Sequence, residues 1–312
     1  LEQLMIVTHG GTESPLDHRD GCEHAAREGM QKLKAGRPAV DAVVAAVTAL
    51  EADGRYDAGI GSMLGMDGRT IEMDAAVMDS RGTLGAVAAL QEVRHPIQVA
   101  RRVADTPHVL LVGQGATQFA IRVGLHSPFK PTEEAKQKFS EYVQEMQKAG
   151  HGHGEADDTE SDPGKRLVKE FWNYPVPWQQ AVERAGHGTV GAVARDAHGG
   201  FAVAVSTGGS PPSLLGRVAD TPLIGCGFFA GEHGAVACTG IGEHVVRHML
   251  AATVYRWIAD GMPLKEALQR GVDLIPQGLS IGLIGVDRQG AEVAARKPMA
   301  SAVLQQPRGE AR

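Results

Sequence analysis

The stretch HGTVGAVARDAHGGFAVAVSTGG, residues 187–209, carries the reading on which the fold turns. Two runs of small and β-branched residues, TVGAVARD (189–196) and FAVAVST (201–207), flank Ala197-His198-Gly199-Gly200, a turn signal suited to a β-hairpin. A turn centred on His198 sets Thr189 opposite Thr207, with Cβ atoms about 4.5–5.5 Å apart and the hydroxyls within bonding reach. A cross-strand Thr pair is by itself an ordinary sheet feature. The residues before it, His187-Gly188, give it a second meaning. A Thr hydroxyl is a poor nucleophile without a neighbouring base. If the chain is cut before Thr189, its own α-amine, with a reference pKa of about 7.7–8.0, becomes that base. Gly188 allows the strained backbone in which the hydroxyl attacks the preceding carbonyl.

Outward from the hairpin, strand-like and helix-like stretches alternate. Met5 to Thr8 is β-leaning and runs into His9-Gly10-Gly11. Pro38 opens a helix whose apolar stripe is Val40, Val43, Val44, Val47 and Leu50. Three short β-prone runs follow, around Ile71 to Asp74, Gly85 to Leu90 and Val109 to Val112, with an amphipathic helix over Pro96 to Val103 between the last two. Residues 133–150 read as a Glu/Lys/Gln-rich surface helix. From 151 to about 186 the polar, acidic composition reads as a mobile linker, on which His151 and His153 are solvated rather than metal-bound. Trp172 to Trp178 is expected to dock back on the body. Beyond the hairpin, GAVACTG (234–240) and SIGLIGVD (280–287) are strands. Between them one helix carries Val246, Met249, Leu250, Val254, Trp257 and Ile258 to a stop at Gly261, and a second spans Pro263 to Leu268. The small strand residues predict close sheet-to-sheet packing.

Composition narrows the function. The 312 residues include 40 glycines, 43% hydrophobic residues and a net charge of −6, which describes a compact globular chain without the basic patch that nucleic acid requires. No apolar run is long enough to span a membrane, and the short start from Leu4 to Val7 does not read as a signal peptide. Cys22, Cys226 and Cys238 are too few and scattered for a disulfide framework or a four-ligand zinc site, so a cytoplasmic location is expected. Cys226, between two glycines, reads as a small core residue rather than a nucleophile. No G-x-G-x-x-G lies between a strand and a helix with a following acidic residue, which removes a dinucleotide-binding reading.

Several uncommon strings stand in order along the chain: HGG (9–11), DAGIGSMLGMDG (57–68), IEMDAAVMD (71–79), TPHVLLVGQGA (106–116), HGTVGAVARD, STGG (206–209), GRVADTP (216–222), GCGFFA (225–230) and CTGIGE (238–243). Together they resemble the plant-type asparaginase and isoaspartyl-peptidase family of N-terminal-nucleophile hydrolases. The resemblance implies an α/β fold, a four-layer αββα sandwich. It implies a precursor that cleaves itself at Gly188–Thr189, leaving an α segment (1–188) and a β segment (189–312) in one folded domain, paired as a dimer of heterodimers. The implied activity is hydrolysis of the β-amide of L-asparagine, of isoaspartyl dipeptides, or of both, through a covalent β-aspartyl intermediate. Thr189 matches the nucleophile and Thr207 its hydrogen-bonding assistant. Arg217 matches the group that holds the substrate α-carboxylate, and Asp220 the group that receives the α-ammonium. Thr239 and Gly240 match the oxyanion hole. Val218, Ala219, Ile241 and Gly242 share those pocket segments. The carbonyls of Leu50, Glu51, Asp53, Tyr56, Ala58 and Ile60 occupy the places of a structural sodium site; no organic cofactor is implied.

The chain also departs from the family pattern. Asp57 stands where an Asn is usual, Thr12 where Ala or Ser is common, Ala219 where Gly is usual, and Ser210 to Leu215 replaces a stretch containing Thr-Asn-Lys. Two alternatives therefore stay open. One is a glycosylasparaginase-like activity, although that group carries HDT rather than HGT. The other is a non-processing homologue that binds amino acids or serves as a scaffold.

Overall fold

The computed structural model describes residues 2–65, 67–149, 188–210 and 213–306. The linker, His151, His153 and Trp172 to Trp178 lie outside them, as do His187, Pro211 and Pro212. In the first half, β1 (Leu4–His9) leads to α1 (Arg19–Lys34) and α2 (Ala39–Asp53). Then come β2 (Met73–Asp79), β3 (Leu84–Leu90), α3 (Pro96–Val103), β4 (Leu110–Val112), α4 (Gly113–Arg122) and α5 (Glu133–Ala149). The second half runs β5 (Thr189–Arg195), β6 (Phe201–Thr207), β7 (Phe228–Gly231), β8 (Gly234–Gly240), α6 (Gly242–His248), α7 (Leu250–Ala259), α8 (Leu264–Leu274), β9 (Ile281–Asp287), β10 (Ala291–Ala295) and β11 (Ser301–Gln306). None of the described helices is long and apolar enough to cross a membrane.

The strands form two sheets, a seven-stranded one ordered β11-β1-β5-β6-β2-β3-β4 and a four-stranded one ordered β10-β9-β8-β7. Period-two alternation then sorts each strand between two layers. On β5, Val190, Ala192 and Ala194 face α1 to α4, joining Leu33, Val43, Val47 and Leu50 in one core. Val193, on the other face, meets Val203, Val205, Phe228, Ala237 and Ile284 in a second core between the sheets. Val236, Cys238 and Leu283 on the outer face of the small sheet pack against α7 and α8 in a third. Three cores separate four layers, the αββα sandwich. Small side chains let the sheets close. At Gly191 a Cβ would stand 2.5 Å from Nε2 of His9, which fills the space on the neighbouring strand.

The hairpin has the expected register: Thr189 pairs with Thr207 and the ladder continues in step to Arg195 and Phe201. Asp196 fixes its turn by accepting N–H bonds from His198 and Gly200, both 2.9 Å, on Oδ1. Its other oxygen, Oδ2, accepts the N–H of Ala39 at 3.1 Å, supplying the cap that Pro38 has no side-chain group to give. One carboxylate therefore ties the hairpin to the first turn of α2.

The structure departs from the sequence reading at three places, two of them with a clear physical cause. The single helix expected through Met249 is broken there, with Met249 in the left-handed region at φ 43°, ψ 51°. The break frees the amides of Ala251 and Ala252 to bond the carbonyls of Cys226 and Gly225 at 3.0 and 2.9 Å, so the GCG turn caps α7 from outside. The glycines of GQGATQFAIR hid α4, which buries only Ala116 and Ala120. The strand expected from Ile71 starts instead at Met73 and runs on to Asp79.

Candidate active site

Strand parity brings the three threonines together. Thr189 and Thr207 share the face of Val193 and Val203, and Thr239 continues the inward face of Ala235 and Ala237 across from them. All three are buried at one end of the space between the sheets. The Oγ1 of Thr207 donates to the carbonyl oxygen of Gly188 at 2.9 Å, so the peptide bond before Thr189 is already polarised. Oγ1 of Thr239 accepts the backbone N–H of Thr12 at 3.2 Å, which leaves its own proton available to another acceptor.

The His9-Gly10-Gly11 turn presses on the same bond. Gly11 has φ +100°, and a Cβ there would lie 3.0 Å from Cα of Gly188 and 3.2 Å from N of Thr189. Its N–H bonds Nδ1 of His9 at 3.2 Å. Burial drives the His9 pKa down to about 3, so the ring is a neutral acceptor at physiological pH.

A narrow cleft opens over Gly188, Thr189 and Thr207 and is further lined by Gly209, Ser210, Arg217, Ala219, Asp220, Thr221, Gly240 and Gly242. Most of the residues anticipated from sequence therefore meet in one place. Thr239 and Ile241 are buried next to the lining residues, and Val218 is exposed beside them. Arg217 bonds Glu243 through Nε and Nη2, at 3.1 and 2.9 Å to Oε1 and 3.1 Å from Nη2 to Oε2. Asp220 is buried with its Oδ2 unpartnered, and burial raises its pKa to about 7 against the opposing pull of Arg217. Asp74, on β2 opposite Thr207, is raised to about 7 in the same way and accepts the N–H of Ala89 at 2.8 Å. Sequence reasoning passed over Glu243 and Asp74. Their signal lay only in position: Glu243 closes CTGIGE, and Asp74 stands in IEMDAAVMD.

Asp57 lies against the bond before Thr189: a Cβ on Gly188 would meet the Asp57 Cβ at 2.6 Å. Its main-chain oxygen accepts the N–H of Gly208 at 2.9 Å and its Oδ1 that of Met63 at 3.1 Å, while Oδ2 is buried and unpartnered. Burial pushes its pKa well above the ordinary carboxylate value, more than the Met63 N–H, Lys138 and Arg217 pull it down. A carboxyl that binds its proton more tightly folded than unfolded favours the fold at low pH, and that contribution disappears as pH rises through the folded pKa. Asp57→Asn therefore stabilises the protein at pH 8, by about 1–3 kcal/mol, and gains little near pH 4. Melting temperatures of both proteins across that range check this, and an equal gain at both ends would contradict it.

A sequence profile for the family described as Asparaginase matches residues 2–308. The isoaspartyl peptidase/L-asparaginase of Mus musculus is 37% identical over 303 residues, covering 93% of this chain and 84% of its own length. A plant-type L-asparaginase of Pyrobaculum calidifontis is 36% identical over 300 residues, 91% of each chain. An isoaspartyl peptidase of Salmonella typhimurium is 36% identical over 307 residues, 93% of this chain and 91% of its own.

Proposed function

The chain belongs to the asparaginase family, an amidohydrolase of the asparaginase and isoaspartyl-peptidase type, and we propose that it works by cutting itself before Thr189 and using that residue as its nucleophile. The observation carrying the reading is the bond from Thr207 to the Gly188 carbonyl, beside a cleft that also holds Arg217 and Asp220. In the self-cleavage step, Oγ1 of Thr189 attacks the Gly188 carbonyl carbon and Thr207 stabilises the charge that develops on the oxygen. Breaking the C–N bond turns the peptide into an ester and releases the amine. Water hydrolyses the ester, leaving a Gly188 carboxylate and an α-amine on Thr189.

That amine is the base for the second reaction. Arg217 holds the α-carboxylate of a β-aspartyl amino acid and Asp220 its α-ammonium, which aims the β-carbonyl at Thr189. The Thr189 hydroxyl gives its proton to the amine and attacks. The N–H of Gly240 and the hydroxyl of Thr239 receive the oxyanion. The amine then protonates the departing ammonia or amino acid, and water releases aspartate from the acyl-enzyme. Assays of ammonia from L-asparagine and of amino acid from isoaspartyl dipeptides test the substrate class; release from neither overturns the reading.

Gly11 provides a second test. A methyl group at φ +100°, pressed onto Gly188, displaces the bond to be cut. Gly11→Ala is expected to slow self-cleavage by about a hundredfold, followed as the appearance of the two fragments on denaturing gels. Unchanged cleavage would show that the turn plays no part in shaping the bond.

The turn after α2 also suits a sodium ion. Gly59 and Gly61 pack onto the carbonyls of Glu51, Gly54, Tyr56 and Arg94 so closely that any Cβ would fill the cradle. The Glu51 side chain is engaged elsewhere, accepting the N–H of Ile97 at 2.9 Å, and no His, Cys, Asp and Glu cluster among the described residues is arranged to hold a metal. Main-chain oxygens of Leu50, Glu51, Asp53, Tyr56, Ala58 and Ile60 would hold the hard cation. Bound there, it would brace the segment that leads into Asp57. The dimer of heterodimers is likewise part of the proposal, with light scattering as its check.

A further inference from the structure

The Arg217 guanidinium offers two edges for carboxylates, and one is already taken. Glu243 occupies the edge formed by Nε and Nη2, with three contacts of 2.9–3.1 Å. Nη1 has no hydrogen-bond partner among the described residues, so the edge it shares with Nη2 is open. Five donors in a rigid plane allow one guanidinium to hold two carboxylates at once. Glu243 is the second residue of α6 and follows Thr239 and Gly240 by only a few residues. The helix that directly follows the strand of the oxyanion donors thereby grips the carboxylate-binding arginine.

We infer that Glu243 is a positioning residue that locks the Arg217 guanidinium so its Nη1 edge faces the cleft and selects substrates bearing a free α-carboxylate. The inference rests on the reading of the cleft as a β-aspartyl amino-acid site. A flexible arginine would pay for its ordering at each binding event; one already pinned on its far edge does not. Glu243 also sits near enough to Asp220 for its charge to be felt there. The head-group pocket thus holds one cation between two carboxylates, and a substrate that brings both an ammonium and a carboxylate completes the alternation.

The alternative role for the same contact is competition, with Glu243 standing where the substrate carboxylate must go. The two roles predict opposite results. The experiment compares kcat/KM for L-asparagine with that for its α-carboxamide, which keeps the β-amide but lacks the carboxylate. Glu243→Ala is expected to lower the asparagine-to-carboxamide ratio by about tenfold or more, through KM for asparagine, with the carboxamide little affected. Glu243→Asp, which restores a carboxylate, is expected to recover part of the ratio. Calorimetric binding of L-aspartate against its α-amide reads the same discrimination without turnover. A parallel fall with both compounds makes Glu243 merely structural, and tighter binding of aspartate makes it a competitor; either result overturns the inference. If the unaltered protein binds aspartate with the expected selectivity, Glu243→Ala loses that selectivity, and neither hydrolyses anything, the inference stands and the enzymatic reading fails.

Discussion

Thr189→Ala is expected to remain a single 312-residue chain under denaturing conditions, where the unaltered protein is expected to separate into residues 1–188 and 189–312. The alanine removes the hydroxyl proposed to attack the Gly188 carbonyl, while the backbone, the hairpin ladder and the Thr207 bond to that carbonyl are untouched. Hydrolysis of β-aspartyl amides is expected to fall by at least about a thousandfold, since removal of a covalent nucleophile leaves only binding and oxyanion stabilisation. Mass spectrometry of the denatured chains reads the cut directly. A variant that still breaks at the same bond would place the nucleophile elsewhere. An unaltered protein that stays whole under conditions in which it folds would favour the amino-acid binder or scaffold. Thr189→Ser retains an attacking oxygen and should still cleave, which separates chemistry from any fault in folding.

Arg217→Ala is the second large effect, and it divides the two reactions. Arg217 does not touch the Gly188 carbonyl, so the cut before Thr189 is expected to proceed nearly unimpaired. Turnover of L-asparagine is expected to drop by about 10²–10³-fold in kcat/KM. Truncating one partner of a partly buried charge pair strands the other, and here the substrate carboxylate, Glu243 and Asp220 would all lose their counter-charge. The measurement is a fragment assay alongside steady-state kinetics on the same preparation. Equal failure of both reactions would mean that Arg217 supports the structure as a whole and is no separate clamp.

Much of this site could be read before the structure, because its strongest signals are local. The turn at His198 sets the register of β5 and β6, and register with period two then decides which face Thr189 and Thr207 occupy. α3, over Pro96–Val103, was legible to the residue because its apolar stripe coincides with a proline at its start. Features built by distant partners were not legible. The break at Met249 is bought by carbonyls of Gly225 and Cys226, and the cap of α2 comes from Asp196 on the opposite half of the chain. The Arg217–Glu243 pairing spans a loop, two strands and a helix start, and nothing in GRVADTP or CTGIGE taken alone predicts it. Asp57 was visible as a departure, but its unpartnered Oδ2 and its contact with Gly188 depend on three segments meeting.

Gly188 lines the very cleft in which a substrate would have to sit. On the proposed function, a newly made chain is a zymogen whose plug is its own backbone, and its first hydrolysis is performed on itself. Removal of the plug is unimolecular. Its half-time is then expected to be set by the geometry around one peptide bond and to be the same in a dilute or a concentrated solution. Synthesis and activity are then separated by an internal clock, which substitutions at Gly11 would slow.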